Sequence, residues 1–366
     1  MRKTALLPIL GILILFMTIP ALADQKPKID WEKKFGGWVA TVTYTADVGN
    51  GGSLRIKDVV GNITINGRSS KNATIVYELK INDGMSQGAA EKILQELIPE
   101  FKTAGDRITV FGPKRHHRNY HDISMSLSAD LPSKFDINGS TGGGSISVNG
   151  IEGIVDMSSG GGTITVEQCK GEVDVSTGGG NIDLNHIAGA IDVSTGGGSI
   201  DLESLDLDSR GRISTGGGGI DLIETSGSLT ISTGAGNIRA RGHKGDLRIS
   251  TGAGNIDTRD VHGSLSVGTG AGSVDVDVPM DKQASSWALD VNTGAGSIDL
   301  RLPGKLPMTV HATVENARSK HDIRSDFDLD ISDHRWDGIS ATGKINGGGM
   351  TINVNSGRGK ISLRKI

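Results

Sequence analysis

A single cysteine, Cys169, stands in a chain of 366 residues, so there is no internal disulfide framework. Aromatic residues make up only 4%, and Trp31, Trp38, Trp287 and Trp336 are too scattered to form a stacking platform for sugar rings. Charge is nearly balanced, with 38 Lys and Arg against 42 Asp and Glu. That balance gives no support for nucleic-acid binding, which favours strongly basic domains. The chain has no Gly-x-Ser-x-Gly phrase, no zinc-binding histidine pair on a helix and no phosphate-cradling loop that opens a helix. The sequence therefore makes no case for an enzyme and assigns no catalytic or cofactor-binding residue. Beyond residue 19, no apolar run approaches the ~20 residues of a membrane-spanning helix.

Glycine is abundant, at 55 residues, roughly twice its usual share of about 7%. Collagen is excluded because glycine does not recur every third residue. Regular Ile, Leu and Val between the glycines argue against disorder. The glycines cluster in a repeated phrase, Ser-Thr-Gly-Gly-Gly or a close variant. Its anchor falls at Thr141, Ser159, Thr177, Thr195, Thr215, Thr233, Thr251, Thr269 and Thr293, at intervals of 18, 18, 18, 20, 18, 18, 18 and 24. A short fixed period means one small unit stacked many times.

Counted from each anchor, apolar residues fall at offsets +5, +7, +14 and +16, as in Ile182, Leu184, Ile191 and Val193. Spacing by two is strand alternation, so each unit holds two short strands. Offset +10 is a third apolar slot (Ile151, Cys169, Ile187, Leu205, Val261), and +12 is usually Gly. Equivalent strands of stacked coils would pair in parallel about 4.8 Å apart. The expected fold is all-β, a right-handed parallel β-helix (β-solenoid) with ~18-residue coils, right-handed because parallel crossovers are. Positive φ at the Gly-Gly-Gly phrase is expected to turn its corner.

The expected organisation is a signal peptide over 1–23 and a single solenoid domain over 24–366. Arg2 and Lys3, an apolar stretch over 6–19 and Ala21-Leu22-Ala23 make up the export signal. A first coil is expected at about 50–66, with Leu54 and Ile56 at +5 and +7 and Ile63 and Ile65 at +14 and +16. Residues 66–130 break the beat and read as a small α+β insertion or cap near the N-terminus. Within it, Ala89, Ile93, Leu94 and Leu97 mark an amphipathic helix. Regular coils follow over 131–304. Residues 305–366 hold an irregular segment and closing coils, with Ser356 as the last anchor.

The phrases DVSTGGGNIDLNHIAGAIDVSTGGGSIDL (174–202), LPSKFDINGSTGGGSISVNGIEG (131–153) and INGGGMTINVNSGRGKISLRKI (345–366) resemble the bacterial DUF4097 "putative adhesin" β-strand-repeat family. The resemblance spans about residues 50–366 and is weakest over 66–130. It implies an exported, right-handed β-helical protein with an adhesin-like role, and it carries over no catalytic residue.

Several residue sets remain as candidates for binding. Lys114, Arg115, His116, His117 and Arg118, with His121 beyond, form the one sharply basic segment. It reads as an exposed loop, a site for an anionic envelope polymer or lipid head group, or a metal site through His117 and His121. Outward aspartates recur at +6 (Asp183, Asp201, Asp221, Asp257, Asp275, Asp299) and +15 (Asp156, Asp174, Asp192). They form either a solvated face or a weak surface Ca²⁺ site. The nine-residue Ca²⁺ repeat is rejected, because in Gly180-Asn181-Ile182-Asp183 the aspartate comes one residue too late. The anchor hydroxyls read as structural ladders or as a flat ice- or glycan-contacting array, and Cys169 as a buried, inert thiol. The expectation is an exported, non-enzymatic interaction module of the bacterial envelope (periplasm or cell surface) with an envelope polymer or protein as partner. The alternative is a structural or stress-associated spacer that can self-associate end to end. Neither nucleic acid nor a resident cofactor is expected.

Overall fold

The structure is a computed structural model and describes residues 27–34, 37–82, 86–113, 123–279, 288–334 and 338–366. The expected export signal over 1–23 and the basic segment Lys114 to Arg118 lie outside these residues. In the repeats, each unit places one strand in each of two parallel ladders. In the first ladder Ile164, Ile182, Ile200, Ile220, Ile238 and Ile256 pair in succession. In the second, Thr177, Thr195, Thr215, Thr233, Thr251, Thr269 and Thr293 do the same. The two extra residues of the Thr195 unit are absorbed in the second ladder, where register shifts between Gly189 and Asp192 and between Asp206 and Arg210. Ile182, Leu184, Ile187, Ile191 and Val193 are all buried, so the apolar alternation fills one contiguous interior.

The anchor column lies inside that interior and is satisfied there. Thr177 Oγ1 donates to the Gly162 carbonyl at 2.8 Å, Thr195 to Gly180 at 2.8 Å and Thr233 to Gly218 at 2.9 Å. Each bond crosses from one repeat to the glycine corner of the repeat before. A buried carbonyl left unpaired would cost about 1–3 kcal/mol, so the hydroxyl is needed at every rung. The structural-ladder reading of these anchors therefore holds.

The glycine corners correct an expectation. No glycine of the Thr177 or Thr195 phrases has positive φ. Glycine is needed there because successive corners touch: a Cβ on Gly162 would lie 2.1 Å from the Gly144 carbonyl oxygen, and one on Gly180 2.1 Å from that of Gly162. The middle glycine, such as Gly179, faces open space, and Ala235 and Ala253 take its place in later repeats. Positive φ falls instead at the +12 glycines, such as Gly171 and Gly189 at 130°, and at +9, just before the inner slot. Gln168, His186, Ser204 and Glu224 adopt φ of 53°, 55°, 56° and 52° there.

Both ends depart from chain order. Gly52–Val59 and Asn62–Arg68 sit between two later segments. Gly52–Val59 pairs with Arg107–Phe111 and Phe135–Thr141, and Asn62–Arg68 pairs with Ile123–Pro132 and Ile146–Asn149. Residues 107–111 and 123–132 are thus rungs of the ladders rather than an insertion. The register also inverts the expected phase, because Leu54 pairs with Ile137 of the second ladder and Ile63 with Ile146 of the first. The physical reason is that the two apolar pairs lie nine residues apart in an 18-residue unit, so the pattern looks the same from either strand. At the other end, Met350–Ser356 and Ile361–Lys365 follow Ala288–Ala295 and Ile298–Leu302 in space, as the anchor at Ser356 predicts. Met308–Val314 and Ile323–Ser325 then stack outside them.

Antiparallel strands close the stack. Lys28–Lys34, Gly37–Asp47 and Asn72–Asn82 cover Ile123–Pro132, and Glu100–Ala104 covers Arg107–Phe111. Ile339–Ile345 and Asp330–Asp333 cover Met308–Val314. The one α-helix among the described residues, Gln87–Leu97, buries Leu94 and Leu97 and packs Ile93 against the core as expected, with Ala90 buried in place of the exposed Ala89. The outermost strands are short or charged, a pattern that discourages pairing with another sheet. Lys28–Lys34, for example, carries ion pairs between Lys28 and Asp30 and between Lys34 and Glu32.

Candidate interaction face

On each strand of the first ladder, the residues between the buried ones face solvent and stack into two columns. One runs Thr165, Asp183, Asp201, Asp221, Arg239, Asp257, Asp275 and Asp299. The other runs Glu167, Asn185, Glu203, Ile223, Arg241, Arg259, Asp277 and Arg301. Parallel pairing thus brings together side chains 18 to 24 residues apart in sequence. Between the columns lies an open groove of about 540 Å³, reaching from Thr165 to Arg241. Ile223 stands in it at 43% exposure, one of the few large apolar side chains left in water. Sequence reasoning recognised the aspartate column but missed the second column and its isoleucine, because +8 has no common chemistry along the chain.

Charge is segregated along this face. From Glu167 to Asp221 the charged side chains are acidic, whereas guanidinium groups enter from Arg239 onward. Arg239 meets Asp221 at 3.5 Å, Arg259 meets Asp257 at 3.0 Å and Arg364 meets Asp299 at 2.7 Å. Arg301 spans Asp275 and, at 3.4 Å, Asp277. These pairs are exposed or half-exposed and contribute about 1 kcal/mol or less each. In the acidic half, partial burial raises the Asp201 carboxyl above the usual carboxylate range, and Asp183 and Asp221 raise it further. Burial also raises Asp183.

On the second ladder, Asp156, Asp174 and Asp192 are successive partners, as their +15 spacing predicts. Burial, then Asp156, Asp192 and Glu172, raises the Asp174 carboxyl. The column continues with Arg212, which limits the run of like charge. Among the described residues, no three His, Cys, Asp or Glu side chains converge in a way that could hold a metal ion. Cys169 is buried in the inner slot, its Sγ 3.2 Å from the Glu167 carbonyl, and burial pushes its thiol up. It therefore behaves as a small apolar filler in the place that Ile151 and Ile187 take elsewhere. His243, four repeats further along the same column, went unremarked in the sequence because only its position in the fold makes it unusual. It is fully buried, with Nδ1 2.8 Å from Thr225 Oγ1.

No protein-family model matches the chain, and no curated protein matches it. Three solved structures are similar over most of its length. A "putative cell adhesion protein" from Clostridium sporogenes shares 11% identity over 93% of this chain and 99% of its own, with a TM-score of 0.19. A "putative adhesin" from Bacteroides fragilis shares 14% over 89% and 97%, with a TM-score of 0.27. A "putative lipid binding protein" from Parabacteroides distasonis shares 12% over 88% and 96%, with a TM-score of 0.30. Superpositions this loose carry no argument about function. No described helix is long and apolar enough to cross a membrane.

Proposed function

We propose that the protein is an exported, non-enzymatic interaction module, adhesin-like in role, built as a right-handed β-solenoid of ~18-residue coils. The observation that carries this reading is the groove over the first ladder. A rigid sheet face presents an acidic half, an exposed Ile223 and a basic half within one open surface. Its lining offers carboxylates, guanidinium groups, Thr165, Asn185 and Ile223, a mixture of charged, polar and apolar contacts that suits recognition of a partner. Preorganised columns lose little freedom on binding, so such a face can recognise an extended partner. The partner class is an envelope polymer or protein, and the N-terminal leader would bring the chain to the periplasm or cell surface. A second candidate contact is the basic segment Lys114, Arg115, His116, His117 and Arg118.

The test is retention of envelope fractions by the immobilised mature protein. The fractions would be compared with a triple variant carrying Asp201→Ser, Glu203→Ser and Ile223→Ser, and with a form lacking residues 114–118. Loss of retention in the first assigns the groove, and loss in the second assigns the basic segment. Retention of nothing by the parent refutes the reading.

The inter-repeat hydrogen bonds also favour a second role, that of a stiff spacer. Its self-association would have to overcome the charged antiparallel strands at the ends. Light scattering discriminates, since a concentration-independent monomer argues against end-to-end assembly.

A further inference from the structure

The last glycine corner differs chemically from all the others. In the nine corners from Thr141 to Thr293, the second residue after the anchor is Gly or Ala and the fourth is Ser, Thr, Asn or Gly. After Ser356 these positions hold Arg358 and Lys360. The backbone around them keeps the common geometry: Gly296 N donates to the Arg358 carbonyl and Ile298 N to the Lys360 carbonyl, both at 2.8 Å. The two cations therefore replace small neutral side chains on a frame that keeps its bonds to the preceding corner, with Gly359 between them at φ 151°.

A second segment brings a third cation to this corner. Asn316 N and Nδ2 both donate to the Gly357 carbonyl, at 3.0 and 2.9 Å, which lays residues 315–322 across it. Asp322 then caps the turn, accepting from the Arg318 and Ser319 N–H groups at 2.6 and 3.1 Å. Its carboxylate is thus occupied by backbone, and Arg318 is held beside Arg358 and Lys360. Together they line an open cavity of about 500 Å³. None of the three cations lies within ion-pair distance of a carboxylate among the described residues. Single guanidinium groups elsewhere either pair, as Arg239, Arg259, Arg301 and Arg364 do, or stand alone; here three unpaired cations line one cavity.

We propose that the cavity between Arg318, Arg358 and Lys360 is a binding site for a phosphate group. Three cations against one carboxylate already engaged by backbone leave a net attraction for a dianion. Guanidinium groups match phosphate oxygens two at a time, and an ammonium adds a point charge. The cavity is larger than one phosphate needs, so an esterified group fits beside it. The site lies apart from the groove over Thr165 to Arg241, and the proposal does not rest on the groove reading.

The decisive variant is Arg358→Ala with Lys360→Asn, which restores the residues that other repeats carry and so is expected to leave the melting temperature unchanged. Two probes are applied to the full mature chain: pyrophosphate by calorimetry, and phosphatidylglycerol-containing vesicles by flotation against pure phosphatidylcholine vesicles. The parent is expected to bind at least one probe, more weakly as salt is raised, and the double variant about tenfold or more weaker, as loss of two charge-assisted contacts implies. Binding of pyrophosphate alone assigns a soluble phosphate ligand, and vesicle binding assigns a lipid head group. Failure of the parent to bind either probe, or equal binding by the double variant, overturns the proposal. The groove triple variant should bind both probes as the parent does.

Discussion

His243 gives the sharpest test of the packing. It occupies the inner slot that Leu205 and Val261 fill in other repeats and is wholly buried. Its surroundings offer Thr225 Oγ1, the backbone at Gly227 and Asp246, and the Asp246 carboxylate, while Nε2 is buried with no hydrogen-bond partner. Burial dominates and lowers the imidazole from 6.5 to about 4. A base whose folded pKa is depressed contributes stability that is complete above its unfolded pKa. That stability is lost as pH falls from about 6.5 towards 4. At about 1.4 kcal/mol per pKa unit, the loss reaches about 2 kcal/mol by pH 5 and about 3 kcal/mol by pH 4. The perturbation is His243→Val, imitating Val261. It strands the Thr225 hydroxyl at a pH-independent cost of about 1–3 kcal/mol. The protonation of Asp174, Asp183 and Asp201, whose raised carboxyls favour the fold at low pH, is common to both proteins. Urea unfolding at pH 7.5, 6 and 5 should show a parent that loses about 2 kcal/mol more than the variant over that interval. Equal pH slopes, or a native imidazole that titrates near 6.5 by NMR, would refute the reasoning.

Further predictions follow from the corners. Gly180→Ala, whose Cβ would meet the Gly162 carbonyl oxygen at 2.1 Å, should destabilise by about 2–3 kcal/mol, whereas Gly179→Ala, facing open space, should be close to neutral in thermal melting. Thr195→Val should cost about 1–2 kcal/mol by stranding the Gly180 carbonyl, and Thr195→Ser should recover most of it in the same assay. His186→Gly should raise the melting temperature, since relief of left-handed backbone at φ 55° is worth about 1 kcal/mol. Cys169 should resist maleimide until urea opens the repeat, because burial both shields the thiol and disfavours its thiolate.

Repetition made the interior legible. Alternation at +5, +7, +14 and +16 identifies Ile182, Leu184, Ile191 and Val193 as buried, and the structure buries all four. The anchor at Ser356 likewise places the last rungs, because a unique phrase removes the ambiguity of phase. Leu54 and Ile63 had no such phrase, and a pattern symmetric under a nine-residue shift could not say which ladder each would join. On the solvent side, the period lines up Asp183, Asp201 and Asp221, but it says nothing of Ile223, whose column shares no chemistry along the chain.

The one-dimensional pattern determined the unit, its two strands, which side chains face inward and which aspartates stack, because each depends only on local alternation and a fixed period. Tertiary structure alone decided the rest. Close approach between corners explains the first and third glycines of the repeated phrase, and strand pairing out of chain order closes both ends. Contact between residues 315–322 and the Ser356 corner sets Arg318 beside Arg358 and Lys360. Each of these depends on which distant segments touch, and a period does not encode that.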